Sequence, residues 1–217
     1  MATEIAQNPW KLASFGELDI LKTCIESGKP FDDQDERGFT PLNWAARNGH
    51  AETVEYLIGL GASLDKASFG GLRPLHHACN KNAERIVKIL VKAGANANSV
   101  DENGDTPCHY SAARGILNIL VVLLDAGADP TRPNGQGVTP IHKAAIFGQL
   151  AILRRLKETG VHHVDKVGDS VLHYAARGGF HLLIKLLIEA GANVAGTNAA
   201  GKTAKDVASN QACIALL

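Results

Sequence analysis

The 217 residues, 45% of them apolar and with 22 basic against 22 acidic side chains, can bury a core and carry no charge excess to drive them onto nucleic acid or an anionic membrane. The apolar runs are far shorter than the about 20 residues a membrane-spanning helix needs. No basic-then-apolar leader precedes Pro9, and Cys24, Cys79, Cys108 and Cys213 fall in slots that are apolar elsewhere in the chain, as small buried hydrophobes do in a reducing compartment; the expected location is the cytoplasm, with the nucleus as a second site.

Residues 1–7 read as a short tail. Asn8-Pro9-Trp10-Lys11 then opens a degenerate first helix pair, whose second helix carries Leu21, Cys24 and Ile25; it reads as a cap on the rest of the chain. The next pair is the most legible. Thr40 caps a helix and Pro41 takes its first position, where a missing N–H costs nothing. Gly49 closes that helix. Val54, Leu57 and Ile58 form the apolar stripe of the second, and Gly61 ends it in a left-handed cap. Such a hairpin cannot bury its own apolar faces, so it needs copies of itself on either side.

The chain supplies those copies. The helix-opening position recurs at Pro9, Pro41, Pro74, Pro107, Pro140, Val171 and Ala204, in steps of 32, 33, 33, 33, 31 and 33 residues. Closing glycines keep the same beat at Gly28, Gly61, Gly94, Gly127, Gly160 and Gly191. A third series, from Gly38 to Gly201, lies in the connections. Each of its glycines follows a turn former by three positions: Asp35, Ser68, Asp101, Asn134, Asp165 and Asn198. Repeats three and four depart only at Arg73, in a cap slot, and Cys108, in a leucine slot. Repeat five departs more. Lys157 stands where the others have apolar residues, and the connection 160–168 is two residues short, with Val161-His162-His163-Val164 inside it. A shortened or distorted finger is expected there. The last repeat has a contracted second helix, of which Ile214, Leu216 and Leu217 remain.

A 33-residue period with Thr-Pro-Leu-His, Ala-Ala, Gly-His and Gly-Ala at fixed offsets resembles the ankyrin repeat family, over roughly residues 8–217. The resemblance implies an all-α repeat solenoid: ankyrin repeats built of helix-turn-helix pairs with β-hairpin fingers. It implies a single domain over 1–217, with repeats at about 8–37, 38–70, 71–103, 104–136, 137–167, 168–200 and 201–217. The concave face would be made of fingers and first helices. It also implies a structural role for His76, His109, His142 and His173, and for Asn43 in the same slot: each holds a cap residue and a neighbouring repeat's backbone.

The sequence offers no catalytic site. It has no Gly-x-Ser-x-Gly, no phosphate-binding glycine loop and no zinc-spaced cysteine pair. His162-His163 has no third ligand nearby, which makes a poor metal site. The reading is a non-enzyme without metal or cofactor, binding neither nucleic acid nor membrane.

One charge pattern is left over. In the nine residues from each cap position of the first six repeats, the charged residues are Lys11, Arg47, Arg73, Lys81, Arg114, Lys143 and Arg177, all basic. An even draw of signs gives this about once in a hundred. On the concave face they would form an arc for an acidic protein partner. Trp44, His77, Tyr110, Lys143 and Tyr174 share the slot after the motif histidine. Phe39, Phe69, Leu72 and Val138 flank the finger glycines, where the family shows exposed residues. The candidate partner-binding set is therefore Lys11, Phe39, Trp44, Arg47, Phe69, Leu72, His77, Lys81, Tyr110, Arg114, Lys143, Phe147, Tyr174 and Arg177, on a monomer. The compact layout, with Leu-Asn-Trp-Ala-Ala in repeat two and Ile-His-Lys-Ala-Ala in repeat five, is similar to gankyrin-type assembly chaperones of the proteasome regulatory particle. That resemblance implies the C-terminal domain of a proteasomal ATPase as the partner. The alternatives are a general signalling adaptor, or the N-terminal recognition module of a larger enzyme such as an ankyrin-bearing protein S-acyltransferase.

Overall fold

A computed structural model of the chain describes residues 8–217; the expected tail lies outside them. The described residues form thirteen α-helices and no sheet. They fall into two compact units, one up to Glu102 and one from Asn103 onward.

The first unit holds α1 (Pro9–Phe15), α2 (Leu18–Glu26), α3 (Pro41–Asn48), α4 (Ala51–Gly59), α5 (Pro74–Lys81) and α6 (Glu84–Lys92). Its first helices pack in a row, α1 on α3 and α3 on α5. Ala45, Ala46 and Ala78 are fully buried there, because a methyl group is all that such close helices admit. Of the stripe read from the sequence, Val54 and Leu57 are fully buried and Ile58 is half-buried; Val87 and Leu90 are buried on α6, which packs on α4 in the outer row.

The second unit repeats the plan with α7 (Pro107–Arg114), α8 (Leu117–Asp125), α9 (Pro140–Ile146), α10 (Leu150–Gly160), α11 (Val171–Arg177), α12 (His181–Glu189) and the four-residue α13 (Gln211–Ile214). Rows run α7–α9–α11 and α8–α10–α12. The contracted second helix of the last repeat is α13, with Cys213 buried beneath it. Among the described residues no helix is long and apolar enough to cross a membrane.

The caps agree with the sequence. Thr40 Oγ1 accepts the Asn43 N–H at 3.1 Å. In later repeats the motif histidine takes over the start of the helix. Nδ1 of His109, His142 and His173 accepts the backbone N–H of Thr106, Thr139 and Ser170 at 3.0, 3.2 and 3.2 Å. A ring that accepts at Nδ1 carries its proton on Nε2. His109 and His173 donate that proton to the carbonyls of Val138 and Lys202, both at 3.0 Å. Asn43 does the same for Lys66 through Nδ2. Thr139→Ala removes a hydroxyl that meets His142 Nδ1 at 2.8 Å and should lower stability by about 1 kcal/mol. An unchanged urea midpoint would refute the cap.

The expected β-hairpin fingers are turns without a strand ladder. Among the described residues only isolated antiparallel bridges join Val164 to Ser170 and Thr197 to Thr203. Four of the fingers close on the side chain of their turn former. Asp35 Oδ1 accepts the N–H groups of Arg37 and Phe39 at 2.9 and 2.8 Å; Asn134, Asp165 and Asn198 repeat the pattern. These side chains satisfy the backbone donors that a ladder would use. Neighbouring fingers share single bonds, such as Phe69 N–H to the Arg37 carbonyl and Lys166 N–H to the Gln136 carbonyl.

The short connection is accommodated elsewhere than expected. The turn at 165–169 is regular, with Asp165 N–H on the Asp169 carbonyl at 3.0 Å. The change is at the end of α10, which runs on through Gly160 without a left-handed cap, so that Gly160 lies against Ile141. This leaves His142 Nε2 and His163 Nδ1 buried without a hydrogen-bond partner.

Candidate protein-interaction surface

The surface that the sequence nominates is built by the first helices and the fingers before them. In three repeats the slot after the motif histidine, or after Asn43, ties the helix to its own finger. Trp44 Nε1 donates to Asp35 Oδ2 at 2.8 Å, His77 Nε2 meets Ser68 Oγ at 2.8 Å and the Tyr174 hydroxyl donates to Asp165 Oδ2 at 2.6 Å. In each case the slot lies nine residues after the turn former. Burial pushes the His77 ring down to about 3, with Arg47 and His76 adding to the effect. Burial, then the Asp165 carboxylate, raises the Tyr174 phenol far above its ordinary range. The sequence shows both series but not the bond between them, which only their common spacing of nine could have suggested.

Carboxylates just before two of the caps take up two of the cations. In the second unit the residues before the caps are Asp105, Val138 and Asp169. Asp105 Oδ2 accepts from Lys143 Nζ at 2.8 Å, and Asp169 Oδ2 from Arg177 at 2.8 Å. Their other oxygens take the side-chain amides of Asn134 and Asn198. Desolvation works against the Asp169 charge, yet Asn198 and Arg177 hold its pKa below the ordinary carboxylate range. In the first unit the same position is Phe39 or Leu72. Phe39 is 4% exposed and stacks on Trp44 with ring centroids 4.5 Å apart. The Arg47 guanidinium lies over both rings at 5.3 Å, and among the described residues no carboxylate is hydrogen-bonded to it. Stacking leaves the in-plane N–H groups of such a guanidinium free to donate. Arg73 is turned away, donating to the Val100 carbonyl. Lys11 and Lys81, both exposed, likewise carry no ion pair among the described residues, and neither does Arg114 in the second unit.

Of the nominated apolar residues, Phe69 is 80% and Phe147 55% exposed. Phe39 and Val138, expected at an exposed position, are buried. The chain turns inward there to start the helix, and it carries both side chains under the finger. Leu72, Tyr110 and Trp44 are half-buried, and His77 is buried. Among the described residues no group of three His, Cys, Asp or Glu side chains is placed to hold a metal ion. The four cysteines are buried and none forms a disulfide, with burial pushing the Cys108 thiol up to about 12.

Comparison with known proteins agrees with the helix pairs. A family model described as "Ankyrin repeats (3 copies)" matches residues 10–101, 62–134 and 141–217, and one described as "Ankyrin repeats (many copies)" matches 117–156. The chain is 49% identical over 53 residues to the human DNA-binding protein RFXANK, covering 24% of this chain and 20% of that protein. It is 46% identical over 52 residues to human Ankyrin repeat family A protein 2, covering 24% and 17%. The matches thus span about a fifth of those relatives. The crystal structure of the human ASB11 ankyrin repeat domain superposes with a TM-score of 0.85 at 28% identity, covering 96% of this chain and 97% of that one.

Proposed function

The chain belongs to the ankyrin repeat family, and we propose that it is a non-catalytic protein-interaction scaffold whose first unit holds an acidic partner surface on Lys11, Arg47 and Lys81. The observation that carries this reading is Arg47, stacked on Trp44 and Phe39 with no carboxylate bonded to it among the described residues. Asp105 and Asp169 each take up one inner cation of the second unit, Lys143 and Arg177. Phe39 and Leu72 stand at the same position in the first unit and offer no such carboxylate. Arg114, on the second unit, carries no ion pair among the described residues.

The gankyrin-like layout makes the C-terminal domain of a proteasomal ATPase the first partner to test, and a signalling client the second. Opposed charges speed encounter more than they tighten the complex. Association with the purified partner should therefore slow markedly as salt is raised to physiological strength, where the Debye length is about 8 Å. Charge changes at Lys88 and Lys185, on outer helices, should leave the rate unchanged. A salt-independent association rate would refute the reading.

A further inference from the structure

The first unit contains a groove of about 710 Å3, inside the range of about 300–1,000 Å3 typical of clefts that seat a ligand. Residues of the first finger line it together with residues of α1 and Trp44 of α3. Three aromatic rings belong to it: Trp10, Phe15 and Trp44. Both indole N–H groups are already spent, Trp10 on the Asp33 carbonyl and Trp44 on Asp35 Oδ2, each at 2.8 Å. The other oxygen of Asp35 is taken by two backbone N–H groups of its own turn. The indoles and Asp35 therefore have ring surface left to offer and little polar capacity. Phe15 is 61% exposed, a large apolar area left in water.

The charges on the groove select between occupants. Lys11 and Arg37 line it against a single uncommitted carboxylate, Glu36. Arg47 already lies over the Trp44 ring. A cationic side chain would therefore meet three cations for two carboxylates, Glu36 and Asp35, the latter already accepting three N–H donors, although indole faces by themselves favour cations.

We propose that this groove seats one apolar, preferably aromatic, side chain from an extended acidic segment of the partner, with the flanking carboxylates meeting Lys11 and Arg37. The inference rests on the acidic-partner reading and narrows it from a charged surface to a short anchored motif.

The test is fluorescence anisotropy with labelled peptides of alternating Glu and Asp around one central residue, Phe or Ala, and a lysine counterpart around Phe. The Phe-centred acidic peptide should bind at least about tenfold more tightly than the Ala-centred one. Phe15→Ser, at an exposed position, should erase that difference without disturbing the fold, and Trp10→Ala should do the same. Equal affinity of the two acidic peptides, or a Phe advantage that survives both substitutions, overturns the groove and leaves the acidic-partner reading standing. An advantage that Phe15→Ser removes but salt and Lys11→Glu leave unchanged keeps the anchor and overturns the acidic reading. Tighter binding of the lysine peptide, or no binding of either acidic peptide, overturns both.

Discussion

Alanine at position 137 should destabilise the second unit by more than about 2 kcal/mol, while alanine at 127 should cost about 1 kcal/mol. The two glycines have nearly the same backbone, with φ of 82° and 80°. The strain of placing a Cβ at positive φ is thus common to both. Their surroundings differ. At 127 an added Cβ meets nothing within 4 Å, whereas at 137 it would sit 2.8 Å from the Lys166 nitrogen and 3.1 Å from two atoms of Asp165. Those atoms are backbone and cannot rotate away. The Lys166 N–H is also the group that links this finger to the next one through the Gln136 carbonyl. Urea denaturation of the two variants side by side isolates the close approach of fingers from the strain. Equal losses would mean that the fingers are looser than described.

Acidification should weaken the fold well above the range where carboxylates titrate. His142 lies in the second unit, with burial holding it down to about 4; Asp165 pulls its pKa up and His163 pushes it down. The carbonyls of His163 and Asp169 also raise it, although neither takes Nε2 in a hydrogen bond of normal geometry. The edge of the ring meets Tyr174. In the unfolded chain the same imidazole titrates near 6.5. Between those values the unfolded state binds more protons, so stability is fully present above about pH 6.5 and is lost as pH falls toward 4. The loss is on the order of 3 kcal/mol. His77 in the first unit, held near 3, acts in the same direction. Asp129 and Asp169, whose pKa values are lowered, add their losses only below the ordinary carboxylate range of about 4. His142→Asn, which copies what Asn43 does in its own repeat, should remove most of the second unit's decline between neutral pH and pH about 4.5. Hydrogen exchange resolves the two units. A variant that declines as steeply as the wild type there would show that the ring at 142 is not the group responsible.

The repeat plan was legible because it rests on one-residue signals. Proline at a first helical position, glycine after a last turn, and alanine where two helices meet each carry their meaning locally, and seven registers repeat it. The finger turns were legible too, since Asp35 and Asn134 act on their own backbone. The end of α10 was not. Counting shows that two residues are missing before Asp165, but whether the helix or the turn absorbs the loss depends on the space beside Ile141. The basic bias of the first helices was visible as a composition. Which of these cations are paired depends on contacts such as Asp105 with Lys143, 38 residues apart. Phe39 and Val138 were misplaced for a related reason: a position beside a turn glycine is exposed or buried according to which way the chain leaves the turn.

The ion pairs of the first helices decide which cations can serve as charge-reversal probes. Glutamate at Arg177 would face Asp169, which is 4% exposed, and would destabilise its own repeat. Lys11, Arg47 and Lys81 are exposed, and substitution at such positions usually moves stability by about 0.5 kcal/mol or less. The most direct measurement is quantitative affinity purification with the wild-type chain and with the combined Lys11→Glu, Arg47→Glu and Lys81→Glu variant, after both are shown to unfold at the same urea midpoint. The account predicts that the proteins lost from the variant carry carboxylate-rich surfaces and are also released from the wild type by salt. Recovery of the same proteins in the same amounts by both chains would contradict it.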